Sequence, residues 1–242
     1  MLPISVCILT KNASATIAEC LEALTAFSQV LLLDNGSQDK TIEIAKKYPN
    51  VEIHTSPFLG FGPLRNLAAS LARHDWILGI DSDEVLSSPL LREIQSLNLD
   101  SEKIYSIPRH NFFRGKWIRG AGWHPDRVLR LYHRAATSYT GQVHESLRKE
   151  GVAIHFLHSP IFHTPYRSIS DFLVKMELYS TLFAEEHRGK RKSSLAKAIG
   201  HSLFTFCKNY FFQRGYRAGS EGFIISLYNA HTAFYKYIKL SE

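Results

Sequence analysis

The stretch WILGIDSDEVLSS, residues 76–88, joins an apolar run to three carboxylates, Asp81, Asp83 and Glu84. The apolar residues predict a buried strand, and like charges at its tip repel each other unless a cation lies among them. In an extended segment Asp81 and Asp83 would lie on the same side and offer two oxygen ligands that suit Mg²⁺ or Mn²⁺. The alternative is a solvated acidic turn, with Glu84 at the start of the next helix.

Apolar strands alternate with helical segments throughout the N-terminal part of the chain. In chain order the predicted elements are ISVCILT (4–10), a helix in 12–27, QVLLLDNGS (29–37), a helix in 40–48, VEIHTS (51–56), a helix in 62–74 and WILGIDSDE (76–84). This order, with fully apolar strands, predicts an α/β fold whose parallel sheet is covered by helices on both faces. Ligands of such sheets bind at the carboxyl ends of the strands, where Thr10, Asp34 and Asp81 fall.

Two of the polar residues near this edge have alternative interpretations. Asp34 precedes a turn that contains glycine, so its carboxylate could accept hydrogen bonds from a ribose or a base, or could cap the turn. Arg65, in GFGPLRN, could pair with a phosphate or with the acidic cluster, or could be a solvated helix residue. The sequence contains no glycine-rich phosphate loop, so it does not decide between ligand binding and the structural alternatives for these two residues.

Charge divides the chain into two parts. The net charge is +7, and residues 166–242 contain 12 Lys and Arg against 6 Asp and Glu, so most of the basic excess lies there. We therefore place a domain boundary after Pro165, between a domain of residues 1–165 and a basic tail of residues 166–242. Three scattered cysteines without a CxxC pair favour a reducing compartment, and the N-terminus is typical of a first strand rather than a signal peptide.

Three blocks in the N-terminal part, ILTKNASATIAECLEAL, VLLLDNGSQDKTIEIAKKY and GPLRNLAASLARHDWILGIDSDE, resemble successive signature blocks of family 2 glycosyltransferases. Further on, GWHPDRVLRLYHR and VHESL are similar to the subgroup of lipopolysaccharide-core β-1,4-glucosyltransferases. The resemblance covers roughly residues 4–150. It implies a Rossmann-like GT-A fold and an inverting hexosyltransferase. The enzyme would move a hexose, with glucose as the first choice, from a UDP-sugar to a lipid-linked acceptor such as the lipopolysaccharide inner core.

The resemblance also assigns roles to individual residues of the predicted site. Asp81 and Asp83 match the DxD motif that holds Mg²⁺ or Mn²⁺, with Asp83 as the direct metal ligand. A metal ion there would offset the charge of the departing diphosphate. The donor-binding positions of the family are matched by Thr10, Asn12, Asp34, Arg65 and Asp81.

Inverting transfer also requires a general base to deprotonate the acceptor hydroxyl. The Glu–Asp pair found in many family members is missing at the expected distance, and the candidate is Glu145 in GQVHESL, with His144 as its neighbour or rival. The alternative is that Glu145 only pairs with Arg148 or with an arginine of the preceding block. The motif is not HExxH, which excludes a zinc-protease site of that type.

The block WHPDRVLRLYHR, residues 123–134, supplies candidates for acceptor or phosphate binding. Arg127 and Arg130 are three residues apart, and arginine forks suit a diphosphate or a phosphorylated acceptor. An edge strand with solvated arginines is the alternative. Trp123 could stack on a sugar ring or pack in a core.

The tail is predicted to form amphipathic helices with basic flanks. The apolar residues at helical spacing are Leu195, Ile199, Leu203, Phe206 and Tyr210, then Phe223, Leu227, Ala230, Phe234 and Ile238. Such helices suit an anionic membrane surface, which predicts a peripheral protein on the cytoplasmic face of an inner membrane. The alternative is that one helix face packs on the catalytic domain.

Two other classes of protein fit parts of the sequence. A pI of about 9.3 is compatible with nucleic-acid binding. The sequence contains no helix-turn-helix, zinc-finger or RNA-recognition pattern, so we expect no nucleic-acid partner. A nucleotidyltransferase would also use an acidic metal site on an α/β sheet. It would usually show a glycine-rich loop near the first strand, where this chain has LTKNASATI.

Overall fold

The computed structural model describes residues 2–141 and 145–241 and divides them into two compact units. The first unit comprises the chain up to Arg109 together with Arg127–His163. The second comprises His110–Asp126 together with the chain from Thr164 onward. The second stretch of this unit begins at Thr164, close to the boundary placed at Pro165, whereas its first stretch lies within the predicted first domain.

Twelve strands and seven α-helices are described. The strands are β1 Leu2–Thr10, β2 Phe27–Asp34, β3 Val51–Thr55, β4 Trp76–Asp81, β5 Glu84–Leu86, β6 Lys103–Phe113, β7 Lys116–Trp117, β8 Arg127–His133, β9 Tyr139–Thr140, β10 Ser146–Leu147, β11 Ala153–Phe156 and β12 Ile161–His163. The helices are α1 Ile17–Glu22, α2 Thr41–Ala45, α3 Phe61–Leu71, α4 Ser88–Ser96, α5 Ile169–His187, α6 Leu195–Cys207 and α7 Ser220–Ile238. The predicted strand–helix alternation from residue 4 to residue 84 is confirmed.

The four N-terminal strands are parallel and form one end of the main sheet, in the order β3-β2-β1-β4. Beyond β4 the sheet continues through β8 and β6, which pair in antiparallel fashion, so the whole sheet is mixed. In the register of the parallel strands Thr10 is opposite Asp34, and Leu9 is opposite Asp81. The three predicted tips therefore meet at one edge of the sheet.

Both faces of the parallel strands are buried, as continuous apolar strands predict. Successive side chains point to opposite faces of a strand, and in β1 Val6 and Ile8 belong to one core cluster while Cys7 belongs to the other. The first cluster includes residues of α1 and α4, and the second includes residues of α3. Helices therefore cover both faces of the parallel strands.

The acidic stretch at the end of β4 is a turn, not an extended strand. Strand β4 ends at Asp81, Ser82 and Asp83 form the turn, and β5 begins at Glu84. The prediction that Asp81 and Asp83 alternate along an extended segment was therefore wrong. Glu84 starts a buried strand rather than a helix, because β5 pairs with β12.

A close backbone approach fixes helix α3 beside this edge. A Cβ atom on Gly62, near the start of α3, would lie 2.1 Å from the carbonyl oxygen of Gly141, so only glycine fits there. The contact brings α3 against the chain that follows β9. Arg65, one turn further along α3, is buried.

The second unit has an aromatic core of its own. Its buried residues include Phe113, Ile118, Phe172 and Ile225, and α7 packs against both α5 and α6. Trp123 packs against this cluster, with its ring stacked on Tyr166 at 5.8 Å between centroids. None of the described helices is both long enough and apolar enough to span a membrane.

Candidate active site

Asp81, at the tip of β4, is held by two arginines from different elements. Arg65 of α3 donates from Nη2 to Asp81 Oδ1 at 2.7 Å, and Arg130 of β8 donates from Nη2 to Asp81 Oδ2. Both guanidinium groups are buried, whereas the Asp81 side chain keeps 31% of its surface exposed. The carboxylate is therefore fixed in place and remains open to a ligand on one side.

The electrostatics of this cluster keep all three groups ionised. Burial alone would raise the pKa of Asp81, but attraction to Arg130 and Arg65 outweighs burial and holds the pKa well below its ordinary value. Burial alone would lower the pKa of each arginine, but attraction to Asp81 outweighs it and raises the pKa of both Arg65 and Arg130. Arg65 and Arg130 therefore supply the positive charge that the clustered carboxylates at the strand tip require.

Glu84 also belongs to this cluster, although the sequence did not predict it as a site residue. Its side chain is fully buried and accepts hydrogen bonds from Arg130 Nη2 at 2.9 Å and from Arg109 Nη1 at 3.1 Å. Its other oxygen accepts a bond from the backbone N–H of Asp81 at 3.0 Å. Glu84 therefore orients both Arg130 and the backbone of Asp81.

Glu145, the predicted base, lies in the same cluster. Arg65 Nε donates to Glu145 Oε1 at 3.1 Å, so one guanidinium joins Glu145 to Asp81. The Glu145 side chain is 20% exposed, and Oε1 is the oxygen that Arg65 contacts. Pairing of Glu145 with an arginine was the alternative to a catalytic role; a pairing is present, but its arginine is Arg65, which is neither Arg148 nor a residue of the block 123–134. His144, the rival candidate, lies outside the described residues.

The donor-binding candidates on β1 and β2 have different surroundings. Thr10 is buried, and its hydroxyl has no hydrogen-bond partner among the described residues. The carboxylate of Asp34 accepts bonds from the backbone N–H groups of Gly36 and Ser37, so it caps the turn after β2. Asn12 Oδ1 accepts from the N–H of Gln38 at 2.8 Å, which ties the two neighbouring loops together.

Asp83, the predicted metal ligand, is separate from the arginine cluster. Its Oδ2 lies 3.4 Å from Nε2 of His163, and 32% of its side chain is exposed. No group of three His, Cys, Asp or Glu among the described residues is arranged to hold a metal ion. Both oxygens of Asp81 contact arginines, whereas Asp83 contacts His163.

Arg127 is held at the rim of a cavity of about 310 Å³ that Asp81, Arg65, Arg109 and Glu145 also line. Its Nη2 donates to two backbone carbonyls at 2.7 Å, those of Ser106 and Leu157. The residue is nevertheless exposed, so a fixed cation faces solvent at the cavity. Arg130, which was predicted to bind an anion together with Arg127, is instead buried in contact with the carboxylates of Asp81 and Glu84.

A protein-family model identifies the class of enzyme. The family model described as glycosyl transferase family 2 matches residues 5–160. The chain belongs to glycosyl transferase family 2. Of the three classes considered from the sequence, family membership supports the glycosyltransferase over the nucleotidyltransferase and the nucleic-acid-binding protein.

Curated relatives match along the whole chain. An uncharacterized glycosyltransferase of Rickettsia prowazekii is 29% identical, and the match covers 100% of this chain and 88% of the relative. LpsC of Rhizobium meliloti, a lipopolysaccharide core biosynthesis glycosyltransferase, is 27% identical, and the match covers 100% of this chain and 93% of LpsC. The predicted similarity to glycosyltransferases of the lipopolysaccharide core is confirmed.

Solved structures confirm the fold. The structure of residues 1–349 of TarS from S. aureus in complex with UDP-GlcNAc matches with a TM-score of 0.52 and 15% sequence identity. The match covers 93% of this chain and 80% of that one. The predicted α/β GT-A fold is therefore confirmed.

Proposed function

We propose that this glycosyltransferase moves a hexose from a UDP-sugar, for which UDP-glucose is the first choice, to a lipid-linked saccharide such as the lipopolysaccharide inner core. Transfer inverts the anomeric carbon. The observation that supports this most strongly is the contact of one buried guanidinium, that of Arg65, with both Asp81 and Glu145. The match to LpsC motivates the acceptor class.

The nucleotide end of the donor is assigned to the carboxyl edge of the parallel strands. The unpartnered hydroxyl of Thr10 is a buried polar group, which costs free energy unless a ligand satisfies it. Asp34 and Asn12 shape the loops beside it through their own hydrogen bonds. TarS, whose fold this chain shares, was solved with UDP-GlcNAc and with UDP, and a UDP-sugar is the donor we propose.

A divalent cation fits this site through one carboxylate. Magnesium commonly binds through one or two carboxylates together with substrate phosphates and water, and exposed Asp83 offers one such ligand. We assign Asp83 as the direct ligand, with Asp81 kept for its two arginines. Bound Mg²⁺ or Mn²⁺ would stabilise the negative charge that develops on the departing diphosphate.

Glu145 is assigned as the general base. In the proposed step an acceptor hydroxyl oxygen bonds to the anomeric carbon, the bond from that carbon to the phosphate oxygen breaks, and UDP leaves. Glu145 takes the hydroxyl proton through its exposed side, while Arg65 holds Oε1. Arg65 therefore keeps the base in a fixed position relative to Asp81.

Arg127 is assigned to an anionic group of the acceptor. Its hydrogen bonds to two backbone carbonyls hold the guanidinium at the cavity rim, where it can meet a phosphate or carboxylate without first losing side-chain freedom. A lipid-linked acceptor requires the enzyme at a bilayer. We therefore place the protein at the cytoplasmic face of the inner membrane, attached peripherally, with the basic second unit towards the lipid.

The role of Glu145 is tested by Glu145→Gln, with Glu150→Gln as the matched control on the same stretch of chain. Hydrolysis of UDP-glucose should fall on the order of 10²–10⁴-fold in Glu145→Gln, because a neutral amide cannot accept the proton. UDP affinity, measured by calorimetry, should change little in either variant. Near-normal turnover in Glu145→Gln would remove this residue from the role, and equal losses in Glu150→Gln would point to a general effect on the loop.

A further inference from the structure

The outward face of α6 and of the π-helical segment Lys208–Phe212 that follows it is mostly apolar, with Lys208 among its exposed positions. From residue 195 to residue 212 the exposed positions recur in neighbouring pairs every four residues, which places them along one side of the helix. The large apolar side chains on this face are between 44% and 80% exposed: Leu195, Ile199, Leu203, Phe204, Phe211 and Phe212. We call this surface the α6 face.

The opposite side of α6 already has its packing partner within the unit. His201 stacks on Tyr237 of α7 at 4.0 Å between ring centroids, and Phe206 contacts the ring of Phe223 at 5.8 Å. Phe206 and Tyr210, which the sequence placed on the same stripe as Leu203, are half-buried instead. The fold of the unit therefore does not need the α6 face, and its apolar residues are left for another surface.

The charges around the α6 face define the sign of its partner. Residues 187–220 contain no Asp or Glu and eight Lys and Arg, which lie before, within and after the helix: Arg188, Lys190, Arg191, Lys192, Lys197, Lys208, Arg214 and Arg217. A segment with this balance attracts an anionic surface. A second copy docked symmetrically on the same face would bring eight cations against eight cations, which disfavours self-association.

Helix α5 offers a contrast within the same unit. It also exposes apolar side chains, among them Leu173 at 56% and Leu178 at 51%. Its exposed surface, however, includes Glu177, Glu185 and Glu186, which an anionic surface would repel. Both helices expose apolar side chains, so it is the charge pattern that distinguishes α6 from α5 as a surface for an anionic partner.

We propose that the α6 face lies in the interfacial layer of an anionic lipid bilayer, parallel to its plane. Leucine and phenylalanine side chains would enter the acyl boundary, while the lysines and arginines contact headgroup phosphates. This inference deepens the membrane association proposed above by naming its contact surface. It does not depend on the transfer reaction.

The first test compares two double variants of the full chain. Leu203→Gln/Phe204→Gln alters the α6 face, and Leu173→Gln/Leu178→Gln makes the same kind of change on α5 without altering charge. Sedimentation with phosphatidylglycerol/phosphatidylethanolamine vesicles at low salt should show partition on the order of 100-fold weaker for the α6 variant, because two large apolar side chains no longer enter the bilayer. The α5 variant should bind like wild type. Equal partition of the α6 variant and wild type, or equal loss in both variants, would overturn the proposal.

The second test uses Cys207, which is exposed on the α6 face, while Cys7 and Cys20 are buried. An environment-sensitive fluorophore on Cys207 should shift to the blue and become protected from an aqueous quencher when anionic vesicles are added. The same fluorophore on Leu178→Cys in a Cys207→Ser background should remain accessible. A blue shift at Cys207 that grows with protein concentration in the absence of lipid, with no further change on adding vesicles, would assign the face to self-association and overturn the proposal.

UDP binding separates this inference from the proposed reaction. Both double variants should bind UDP as wild type does, because the substitutions lie outside the strand-tip site. Vesicle binding without UDP binding would refute the proposed donor and leave the membrane inference standing. UDP binding without vesicle binding would refute the membrane inference alone.

Discussion

Three arginines and three carboxylates meet beside the tip of β4. Asp81, Glu84 and Glu145 balance Arg65, Arg109 and Arg130 in number, and each carboxylate contacts at least one of the guanidinium groups. Buried ion pairs of this kind add little stability compared with apolar packing, but removing one partner is costly because the other charge is left uncompensated. Their value here is positional, since they fix the proposed base relative to the proposed donor site.

Glu84 gives the sharpest test of this network. Glu84→Gln keeps the shape of the side chain and removes its charge, which leaves Arg130 and Arg109 without a fully buried counter-charge. We expect a loss of about 3–5 kcal/mol in the free energy of unfolding, measured by urea denaturation. Asp75→Asn, at the exposed end of the Arg134–Asp75 pair, is the control and should cost about 0–1 kcal/mol. Similar small losses in both variants would contradict the buried network.

The sequence predicts part of this site and misses the rest for a physical reason. Asp81 and Arg65 were found because they lie at element ends or in recognisable blocks. Glu84 and Arg109 were missed because their pairing joins residues 25 positions apart on strands whose contact follows from tertiary packing alone. The unexplained clustering of carboxylates after an apolar run was the available signal, since it required cations from elsewhere in the chain.

At the scale of elements, α3 connects the sheet to the chain segment that precedes Glu145. Its first turn approaches the backbone at Gly141, and Asn66 one turn later exchanges hydrogen bonds with the backbone of Tyr139. These contacts hold β9 against the helix that bears Arg65. The same helix therefore positions both Arg65 and strand β9, which precedes the proposed base Glu145 in the sequence.

Gly62→Ala tests the importance of this approach. The added methyl group would collide with the carbonyl oxygen of Gly141, and we expect a loss of about 1–3 kcal/mol in the free energy of unfolding together with reduced turnover. Gly200→Ala in α6 is the matched control, because a Cβ there meets open space. That control should gain roughly 0.5–1 kcal/mol from the higher helix propensity of alanine. A neutral Gly62→Ala variant in thermal and urea unfolding would contradict the close approach.

Strands were easier to predict from the sequence than the connections between them. Continuous apolar runs such as LLLD in β2 have no stable position except inside a covered sheet. The turn at Ser82 and Asp83 was mistaken for extended chain because alternation of polar residues fits both conformations over four residues. Pairing of β5 with β12, distant in sequence, is what selects the turn.

At the scale of the whole molecule, the two compact units have different charge patterns. The first contains the carboxylates and arginines of the strand-tip site, close to balance, and the second contains the acid-free basic segment from residue 187 to residue 220. The sequence alone located this asymmetry. It could not tell which face of α6 is buried, because both sides of that helix contain large apolar residues and only packing on α7 distinguishes them.

Calorimetric titration of the full chain with UDP, in the presence and absence of Mn²⁺, tests whether the strand tips form a sugar-nucleotide site. We predict saturable binding that Mn²⁺ strengthens, and we predict that Asp83→Asn abolishes the effect of Mn²⁺ while the exposed-site control Asp100→Asn retains it. At a UDP concentration of about 100 times Kd, binding should also stabilise the fold by roughly 2.7 kcal/mol. The absence of binding heat for UDP and for every UDP-sugar, with or without the metal, would contradict this account of the site.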